Sequence, residues 1–412
     1  MPAEPCASAP RTAPPAGRGL RASAAREPHR RGTRDFRRIT LALFSAGLAT
    51  FTTLYCVQAV LPSLATEFRL SPAAASLAVS VATGALALGV IPLTALSEAA
   101  GRTPIMTVSL FASAALGILA AFSPAFAVLL VLRGLQGLAL AGVQAVAMSY
   151  LTEEVHRGSL GFAMGLFVAG NGIGGMAGRL LGGLIDDVAG WRWALGVVGL
   201  IALACAIVFR LSVLPSARFQ PRPLRARELA LSVARALADS GLLRLYAAGF
   251  LLMGCFVTVY NYLGFRLLGP GFHLSRTIVG LIFVVYLAGS AASVIAGLVV
   301  TTAGFFAAHS VASGWVGARS AALGAQGAAV YLFFYYLGSS IGGSLGGLAF
   351  GGGGWPGLTV YTGCFVIAVV IIGLTLRRLL PAAPVRHLPR TAEPRPGCPA
   401  SHGGTGWARM GR

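Results

Sequence analysis

The chain has 412 residues, of which 56% are hydrophobic and 11% are charged, and its mean hydropathy is +0.77. This composition excludes a water-soluble enzyme and is typical of a polytopic α-helical membrane protein. The formal net charge is +20, and every one of the 32 basic residues is an arginine. Because the basic runs lack the regular interleaving of aromatic residues that single-strand binding uses, we expect no nucleic-acid partner.

Arginine-rich segments flank the apolar part of the chain at residues 1–38, 213–243 and 380–412. Under the positive-inside rule these segments are cytoplasmic, so both tails are predicted to lie inside the cell. The two tails are rich in Pro, Ala, Gly and Arg without apolar periodicity, which predicts disorder. The lysine-free composition suggests a GC-rich bacterial genome. The expected location is the bacterial inner membrane, with the chain crossing it many times.

Apolar windows of about 20 residues, the length that crosses a bilayer, predict six spans in the first half of the chain. In chain order they lie near residues 40–62, 73–95, 104–121, 124–149, 160–182 and 191–212. A cytoplasmic connector at 213–243 follows. The next clear spans lie near residues 244–266, 323–349 and 356–376.

Residues 277–318 form a run of 42 residues without a formal charge, apart from the titratable His309. Two spans would fill this length, but the sidedness of the flanking arginine-rich segments requires an odd number of spans here. One continuous helix would be about 60 Å long, twice the thickness of the hydrocarbon core. We therefore expect a break near Ala296-Gly297 or within Thr301–Gly304 that gives two separate helical segments.

Two segments of the first half recur in the second half at different offsets. Gly170–Gly175 returns as Gly338–Gly343, an offset of 168 residues, whereas Tyr55–Ser71 returns as Tyr260–Ser275, an offset of about 204. The second half is therefore about 36 residues shorter between these landmarks, which is the length of one span and a loop. The sequence thus predicts a duplicated membrane protein that lacks one span.

The predicted fold is an all-α polytopic membrane protein with about 11 spans in two related halves. An intact six-span half covers residues 39–212, and a second half that lacks one span covers residues 244–379. The connector at 213–243 joins the halves, and the two disordered tails complete the chain.

Motifs near the predicted helix ends resemble those of the major facilitator superfamily. Leu96–Arg102, after the second span, resembles its cytoplasmic loop motif, and Arg133–Gly137 in the fourth span matches its R-x-x-q-G pattern. The glycines between Gly170 and Gly183 resemble the antiporter motif of its fifth helix. The first match implies a cytoplasmic gating loop with three candidate residues, Glu98, Gly101 and Arg102.

Further segments resemble the bacterial branch of acriflavine-type and sugar (arabinose) efflux permeases. They are Tyr55–Gln58, Gly170–Arg179, Trp191–Trp193, Tyr260–Tyr262, Phe305–Ser310 and Tyr331–Tyr336. The resemblance implies a major-facilitator-like helical bundle whose two halves surround a central cavity. It also implies a secondary active transporter, an antiporter that exports a small polar or amphipathic molecule by alternating access. Because the missing span corresponds to the ninth of that family, the alternative is a transport-inactive remnant.

Arg133 lies about nine residues into the fourth predicted span, about 13 Å from its outer end. An arginine at that depth costs about 3 kcal/mol or more unless it is paired or hydrated, which marks it as a functional candidate. The alternative is a structural arginine that is hydrogen-bonded to Gln58, Gln136 or a backbone carbonyl. Arg179 is expected at the outer interface, where its side chain would extend to water.

All twelve acidic residues fall in predicted tails or loops, so we expect no carboxylate in the membrane core. Proton-coupled transporters usually carry the proton on an embedded acid, so proton coupling here would depend on His309 or on the network around Arg133. A packing role is the alternative for His309.

The remaining candidates for the substrate cavity are polar or aromatic residues of the spans, Tyr55, Gln58, Gln136, Asn171, Tyr260, Asn261 and Tyr335. For the tyrosines, packing between helices is an equal alternative. No nucleophile, acid–base or metal-ligand constellation is present, so we expect no enzymatic activity, cofactor or metal. The expected partners are a small-molecule substrate and the lipid bilayer, with the protein a monomer.

Overall fold

A computed structural model describes residues 28–219, 221, 225–268, 292–320, 323 and 325–376. In these ranges the chain forms ten helices: α1 (Arg34–Glu67), α2 (Pro72–Ala100), α3 (Arg102–Ala120), α4 (Phe126–Glu154), α5 (Arg157–Ala189), α6 (Trp191–Ser212), α7 (Ala226–Ala238), α8 (Ser240–Leu268), α9 (Ala292–Arg319) and α10 (Ala325–Leu376). Nine of these described helices, all except α7, are long and apolar enough to cross a membrane. The all-α polytopic fold class is therefore confirmed.

α10 contains two crossing segments, because its 52 residues are interrupted at Gly354. Gly354 has φ 56° and ψ −147°, a conformation that glycine adopts freely and that residues with a Cβ atom adopt only under strain. Pro356 follows and has no backbone N–H with which to continue the helix. The described residues therefore cross the bundle ten times, close to the predicted number of about 11.

α1 to α6 overlap the six predicted spans of the first half, but several of these helices are longer than predicted. α1 has 34 residues and α5 has 33, whereas the predicted windows of about 20 residues measure only the hydrocarbon thickness. The helices continue past that thickness into polar ends. A residue near the end of a predicted window, such as Arg179 in α5, therefore lies deeper in the bundle than the window indicates.

The helices begin where side chains can satisfy their first backbone donors. The hydroxyl of Thr33 accepts a hydrogen bond from the backbone of Phe36 at the start of α1, and Ser71 does the same for Ala74 in α2, both at 3.2 Å. These are typical N-cap bonds. Pro72 occupies the first turn of α2, where no helical donor is needed.

α1 and α5 run parallel and touch through a row of glycines on α5. A methyl group added at Gly170, Gly174 or Gly178 would lie 2.5 to 2.6 Å from a backbone oxygen of α1, which is too close for any carbon atom. Thr52 of α1 also donates a hydrogen bond to the carbonyl oxygen of Gly174 at 3.1 Å. Glycine alone permits this approach, which gives the close van der Waals contact that joins helices in lipid.

α8 and α10 repeat this arrangement in the second half. A methyl group at Gly338 would overlap the carbonyl of Phe250, and one at Gly342 would lie 2.7 Å from the Cα atom of Gly254. Thr258 donates to the carbonyl oxygen of Gly342 at 2.9 Å, which reproduces the bond between α1 and α5. The duplication predicted from the sequence is thus visible as a repeated helix pair.

α9 runs antiparallel to α8. Tyr260, near the end of α8, shares a 2.8 Å hydrogen bond with Thr302, whereas Asp239, before the start of α8, accepts a 2.7 Å bond from Arg319 at the end of α9. We call the end of the bundle with Asp239 the inner end and the opposite end the outer end. Because α8 leads outward and α9 leads inward, the described part of this region crosses the bundle once.

The expected break near Ala296-Gly297 or within Thr301–Gly304 is wrong, because α9 is continuous from Ala292 to Arg319. A helix of 28 residues fits a bilayer by tilting or by extending past the headgroups, so no break is required. A single crossing also satisfies the odd number of spans that sidedness requires. The part of the prediction that concerns residues 277–291 lies outside the described residues.

Buried apolar residues form three clusters that show how the halves meet. One large cluster contains residues of both halves toward the outer end, such as Val60 and Leu263. Toward the inner end the halves have separate clusters, one around Phe167 of α5 and one around Leu245 of α8 and Leu376 of α10. The halves therefore share one buried core toward the outer end and have separate buried cores toward the inner end, where Ile91 of α2 packs at the edge of the core of the second half.

Candidate functional site

A cavity of about 560 Å³ lies between the two halves, among α1, α5, α8, α9 and the first part of α10. Seven aromatic side chains from both halves line it: Phe51, Tyr55, Phe256, Tyr260, Phe305, Phe306 and Tyr335. Among the described lining residues, Arg179 is the one with a formal charge, and Asn171 and Thr302 are polar. The described walls of the cavity are thus mainly aromatic, with one arginine among them.

Arg179 lies about 15 Å inside the outer end of α5, and only 5% of its surface is exposed. Its Nε donates to Oε1 of Gln58 at 2.7 Å, and its Nη1 donates to the carbonyl oxygen of Gly175 at 2.9 Å. The expectation that this side chain extends to water at the outer interface is wrong. α5 continues to Ala189, so the side chain is held inside the bundle.

Three aromatic rings surround the guanidinium group of Arg179. Its Cζ atom lies 4.4 Å from the ring centroid of Tyr260, 4.9 Å from that of Tyr55 and 5.8 Å from that of Phe256. The rings come from α1 in the first half and α8 in the second. Ring quadrupoles attract a cation, so these three rings stabilise the guanidinium group at the cavity.

Gln58 connects Arg179 to the second half of the protein. Its Nε2 donates to Oδ1 of Asn261 on α8 at 2.7 Å, while its Oε1 accepts from Arg179. Gln58 and Asn261 are both buried. The sequence-predicted candidates Tyr55, Gln58, Tyr260 and Asn261 therefore come together around Arg179, at the outer end of the cavity.

Arg133 lies in the packed interior of the first half and does not line the cavity. Its Nε donates to the carbonyl oxygen of Ala78 at 3.1 Å, its Nη1 to that of Thr53 at 2.9 Å, and its Nη2 to that of Leu54 at 2.8 Å. Gln136 accepts a further bond from Nη1 and donates to a backbone carbonyl of α3. Arg133 thus joins α4 to α1 and α2 through neutral acceptors, the geometry of the structural alternative.

Asn171 lines the inner part of the cavity, about 12 Å along α5 from Arg179. Its Nδ2 donates to Oε1 of Gln144 on α4 at 3.3 Å. The side chain also lies against α1, where a methyl group at Gly47 would be 2.6 Å from Oδ1 of Asn171. Asn171 is therefore a neutral polar group on the wall opposite the aromatic residues of α9.

His309 belongs to an aromatic cluster of α9 and α10 at the side of the cavity. Its Nδ1 shares a 2.9 Å hydrogen bond with the hydroxyl of Tyr331, and its ring centroid lies 4.7 Å from that of Tyr335. Tyr335 lines the cavity, whereas His309 does not. The hydrogen bond to Tyr331 agrees with a packing role for His309. The contact with Tyr335 also connects His309 to the wall of the cavity.

The loop between α2 and α3 forms a polar cluster at the inner end, away from the cavity. Gly101 turns the chain with φ 102° and ψ 147°, which favours glycine. Arg102 donates to Oγ of Ser97 at 2.7 Å and pairs with Glu153 of α4 at 2.9 Å, while Glu98 lies 4.0 Å from its guanidinium. The three loop candidates therefore lie together and tie α2, α3 and α4 to one another.

Among the described residues two carboxylates are buried, both in the last turns of helices, at positions that were predicted to lie in loops. Oδ2 of Asp186 accepts a hydrogen bond from Ser63 at 2.5 Å, and Oε1 of Glu154 accepts one from the backbone of Arg218 at 3.0 Å. Each acid lies in the last turn of its helix, where a neighbouring helix or the connector covers it. Neither lines the cavity.

Sequence reasoning missed that Arg179 is the charged residue of the cavity, and it did not select Phe256 or Thr302. A signal for Arg179 was present, since it directly follows Gly178 and lies four residues after Gly175. Gly174 and Gly178 mark the side of α5 that touches the backbone of α1, and Arg179 lies next to that side of the helix, which favours a position inside the bundle. In the described part of the chain, no group of three His, Cys, Asp or Glu residues could hold a metal ion.

Comparisons with known proteins agree with this architecture. Residues 43–318 match the Major Facilitator Superfamily. The chain is 41% identical over 391 residues to the "Inner membrane transport protein YnfM" of Escherichia coli K12, covering 86% of this chain and 94% of that protein. It is 40% identical to the "Uncharacterized MFS-type transporter YybF" of Bacillus subtilis, covering 84% of this chain and 96% of that protein.

Two solved structures share the fold at low sequence identity. One is a bacterial homologue of the human lysosomal transporter Spinster in an inward-facing and occupied conformation, with a TM-score of 0.66 and 16% identity over 85% of this chain and 98% of that chain. The other is the nucleoside transporter NupG, with a TM-score of 0.59 and 11% identity over 83% of this chain and all of that chain.

Proposed function

Since this chain belongs to the Major Facilitator Superfamily, and is thus a multi-pass membrane transporter, we propose that it is a secondary active antiporter that exports a small polar or amphipathic molecule by alternating access. The observation that carries the proposal is the cavity of about 560 Å³ between the two halves, with Arg179 at its outer end. A volume of this size is typical of a small-molecule site. The acriflavine-type and sugar efflux branch is the proposed relationship within the family.

The contacts between the halves support an inward-open state. Gln58 and Asn261 bridge the halves at the outer end of the cavity, and the hydroxyl of Tyr262 donates to Ser76 of α2 at 3.0 Å. At the inner end the halves have separate apolar clusters, and α5 lines the cavity from Arg179 inward to Gly165. A substrate would enter from the inner side, and outward release would require the Gln58–Asn261 bridge to break.

The proposed orientation has the inner end in the cytoplasm of the bacterial inner membrane. Arg34 begins α1 and Leu376 ends α10 at this same end, so both arginine-rich tails would be cytoplasmic. The transporter would act as a monomer. In this orientation Glu98, Gly101 and Arg102 form a cytoplasmic loop whose ion pair with Glu153 stabilises the inner ends of α2, α3 and α4.

If transport is coupled to protons, His309 and Tyr331 are the candidate carriers beside the cavity. They share a hydrogen bond and contact Tyr335 of the cavity wall. Arg133 is the weaker candidate, because its described donors are bonded to neutral acceptors in the packed interior.

Everted membrane vesicles test the transport proposal. Energised vesicles that contain the protein should accumulate at least one small amphipathic solute from a fluorescent panel that includes anions, cations and sugars, whereas vesicles without the protein should not. Arg102→Gln, which removes the cytoplasmic ion pair and leaves the cavity intact, should lower the rate and keep the same solute preference.

Val168→Cys tests the conformation independently of any substrate. Val168 lines the inner part of the cavity. In a chain without its native cysteines, this thiol should react with a membrane-impermeant maleimide in everted vesicles and be protected in right-side-out vesicles. A folded protein that labels from this side only and accumulates no solute would be the transport-inactive remnant.

A further inference from the structure

We infer that the substrate is an amphipathic anion, a molecule with one negative group and a flat apolar body. This inference rests on the proposed transport function and assigns a chemical class to the solute that occupies the same cavity. Four features of the described cavity carry it: the sign of its charge, the composition of its walls, the chemistry of the guanidinium group and the position of Gln58.

The charge of the cavity favours an anion. Arg179 lines the cavity, and none of the described lining residues is Asp or Glu. The acidic residue that follows Arg179 most closely along α5 is Asp186, about 10 Å farther out, where it is buried against Ser63. In a chamber whose described walls are mainly apolar, the guanidinium group of an arginine attracts an anion and repels a cation of the same shape.

The walls of the cavity favour a flat apolar body. The rings of Phe256 and Phe305 are stacked with centroids 4.3 Å apart, and Phe306 lies at the edge of Phe256 at 6.2 Å. Met176 and Met253 add thioethers, which adapt to the edges of aromatic ligands. Aromatic groups gain stacking and edge contacts on such walls beyond the burial of their apolar area.

The guanidinium group of Arg179 can bind a carboxylate through its N–H edge. The ring centroids of Tyr55 and Tyr260 lie 4.9 and 4.4 Å from its Cζ atom, and an incoming carboxylate would form hydrogen bonds in the plane of the group. That in-plane geometry is the one that arginine and carboxylate prefer. A lysine ammonium at this position would keep the charge but lose the paired geometry.

Gln58 links binding in the cavity to the contact between the two halves at the outer end. Oε1 of Gln58 is a neutral acceptor for Arg179, and Nε2 of the same side chain bridges to Asn261 in the second half. A carboxylate is the stronger acceptor and competes with Gln58 for the guanidinium. Binding of the anion would therefore release the side chain that holds the outer ends of the halves together.

Three probes of similar size and different charge test the inference: 2-naphthoate, 2-naphthamide and 2-naphthylmethylammonium. Their dissociation constants are measured on the purified full chain in nanodiscs. The wild-type protein should bind the carboxylate at least about tenfold more tightly than the amide, because a charge-assisted hydrogen bond is lost with the charge. The ammonium should bind most weakly.

Variants of one helix identify the source of the preference. Arg179→Gln should reduce the carboxylate-to-amide ratio to about twofold or less, and Arg179→Lys should retain part of it. Arg157→Gln makes the same change of charge at an exposed position at the start of α5 and should keep the wild-type ratio. Size-exclusion chromatography shows which variants are folded, and the wild-type series tests the anion preference even if Arg179→Gln does not fold.

Equal binding of the three probes, stronger binding of the ammonium, or binding of none of them would overturn the inference. An unchanged carboxylate preference in folded Arg179→Gln would also overturn it. Flux in proteoliposomes separates this result from the proposed function. Flux of a cation or a sugar without a preference for anions would support the transport function and contradict the anionic substrate class. Tight binding of naphthoate without flux of any solute would support the anion preference and contradict the transport function.

Discussion

The two halves contain the same glycine-joined helix pair but differ in what surrounds it. Among the helices that surround the pair, 61% of the most apolar window of α2 and 44% of that of α4 are buried in the first half, whereas the value for α9 in the second half is 17%. Gly304 and Gly314 of α9 have no described heavy atom within 4 Å of an added methyl group, in contrast to Gly170 and Gly174 of α5. Both halves thus contain a tightly packed helix pair. The helices around that pair are more deeply buried in the first half than α9 is in the second.

The difference has a physical meaning for a protein in lipid. Helices in a bilayer gain little from burying apolar side chains against one another, so their association depends on close packing and hydrogen bonds. α1 packs closely against the glycines of α5, and Thr52 adds a hydrogen bond. α8 packs in the same way against α10, and Thr258 adds the hydrogen bond. α9 is held by the bonds that Tyr260 and Asp239 make to it, by the bond of His309 to Tyr331 and by ring contacts, without a glycine-joined contact among the described residues. We therefore expect the second half to be the more mobile one.

The largest predicted effect comes from filling the helix contacts that both halves share. Gly174→Leu and Gly342→Leu should each lower the free energy of unfolding by about 3 kcal/mol or more, because overpacking a tight contact forces the helix backbones apart. Gly304→Leu in α9 is the matched control and should have little effect, since its site is open. Thermal unfolding in detergent measures all three. A large loss at Gly304 would contradict the contrast between α9 and the glycine-joined pairs.

The next effect separates the two buried arginines. Arg133→Gln should destabilise the protein by about 2–3 kcal/mol, because it removes hydrogen bonds that join three helices of the first half. Arg157→Gln, at an exposed site, should be neutral. Unfolding monitored by tryptophan fluorescence provides the measurement. If Arg133→Gln keeps wild-type stability but abolishes transport, the structural role is wrong and the functional alternative for Arg133 gains support.

Limited proteolysis compares the halves directly. In detergent, the first cleavage should fall in the connector within residues 213–240, and the second half should then be degraded faster than the first. The reason is that fewer helix contacts oppose local unfolding around α9. Mass spectrometry of the time course identifies the surviving fragment. Equal resistance of the two halves to the protease would show that the second half is not the less stable one, although α9 is less buried than the helices of the first half.

The smallest predicted effect concerns the pair that anchors α9 at the inner end. The hydrogen bond from Arg319 holds the pKa of Asp239 below its ordinary value of 3.8. A lowered pKa in the folded state stabilises the fold above the unfolded-state pKa, and this stabilisation is lost as the pH falls through the folded-state value. Both side chains are about one-third exposed, so the effect should be below about 1 kcal/mol.

Hydrogen exchange at the end of α9 can detect this small change. Protection near Arg319 should decrease in the wild-type protein as the pH falls below about 4. Asp239→Asn should have lower protection at neutral pH and little further loss in acid. Identical pH profiles for the two proteins would show that the pair does not hold α9.

Much of this arrangement was predictable from the sequence, because it depends on composition and spacing. The offset between Gly170 and Gly338 predicts the duplication, and both glycines lie at the same kind of helix contact. The predicted break in α9 was wrong because the length of an uncharged run does not determine where a helix begins. The depth of Arg179 and the burial of Asp186 were misjudged because apolar windows end before the helices do.

The grouping of the site residues required the structure. Gln58, Asn261 and Arg179 come from three helices that are distant in sequence, and their meeting depends on how the two halves dock. The same is true of Arg133, whose depth was predicted but whose backbone partners on α1 and α2 were not. Residue type and depth were thus accessible from the sequence, whereas partners across helices were not.

The central claim is that the halves alternate about the cavity despite the looser second half. The most direct test is pulsed electron spin resonance on proteoliposomes with spin labels at Gly161→Cys and Gly317→Cys. Both positions lie near the inner ends of α5 and α9 and have no described heavy atom within 4 Å of an added methyl group. We predict two distance populations, with the shorter one increasing when 2-naphthoate is bound. A single distance that no ligand changes would contradict alternating access and identify the chain as a remnant.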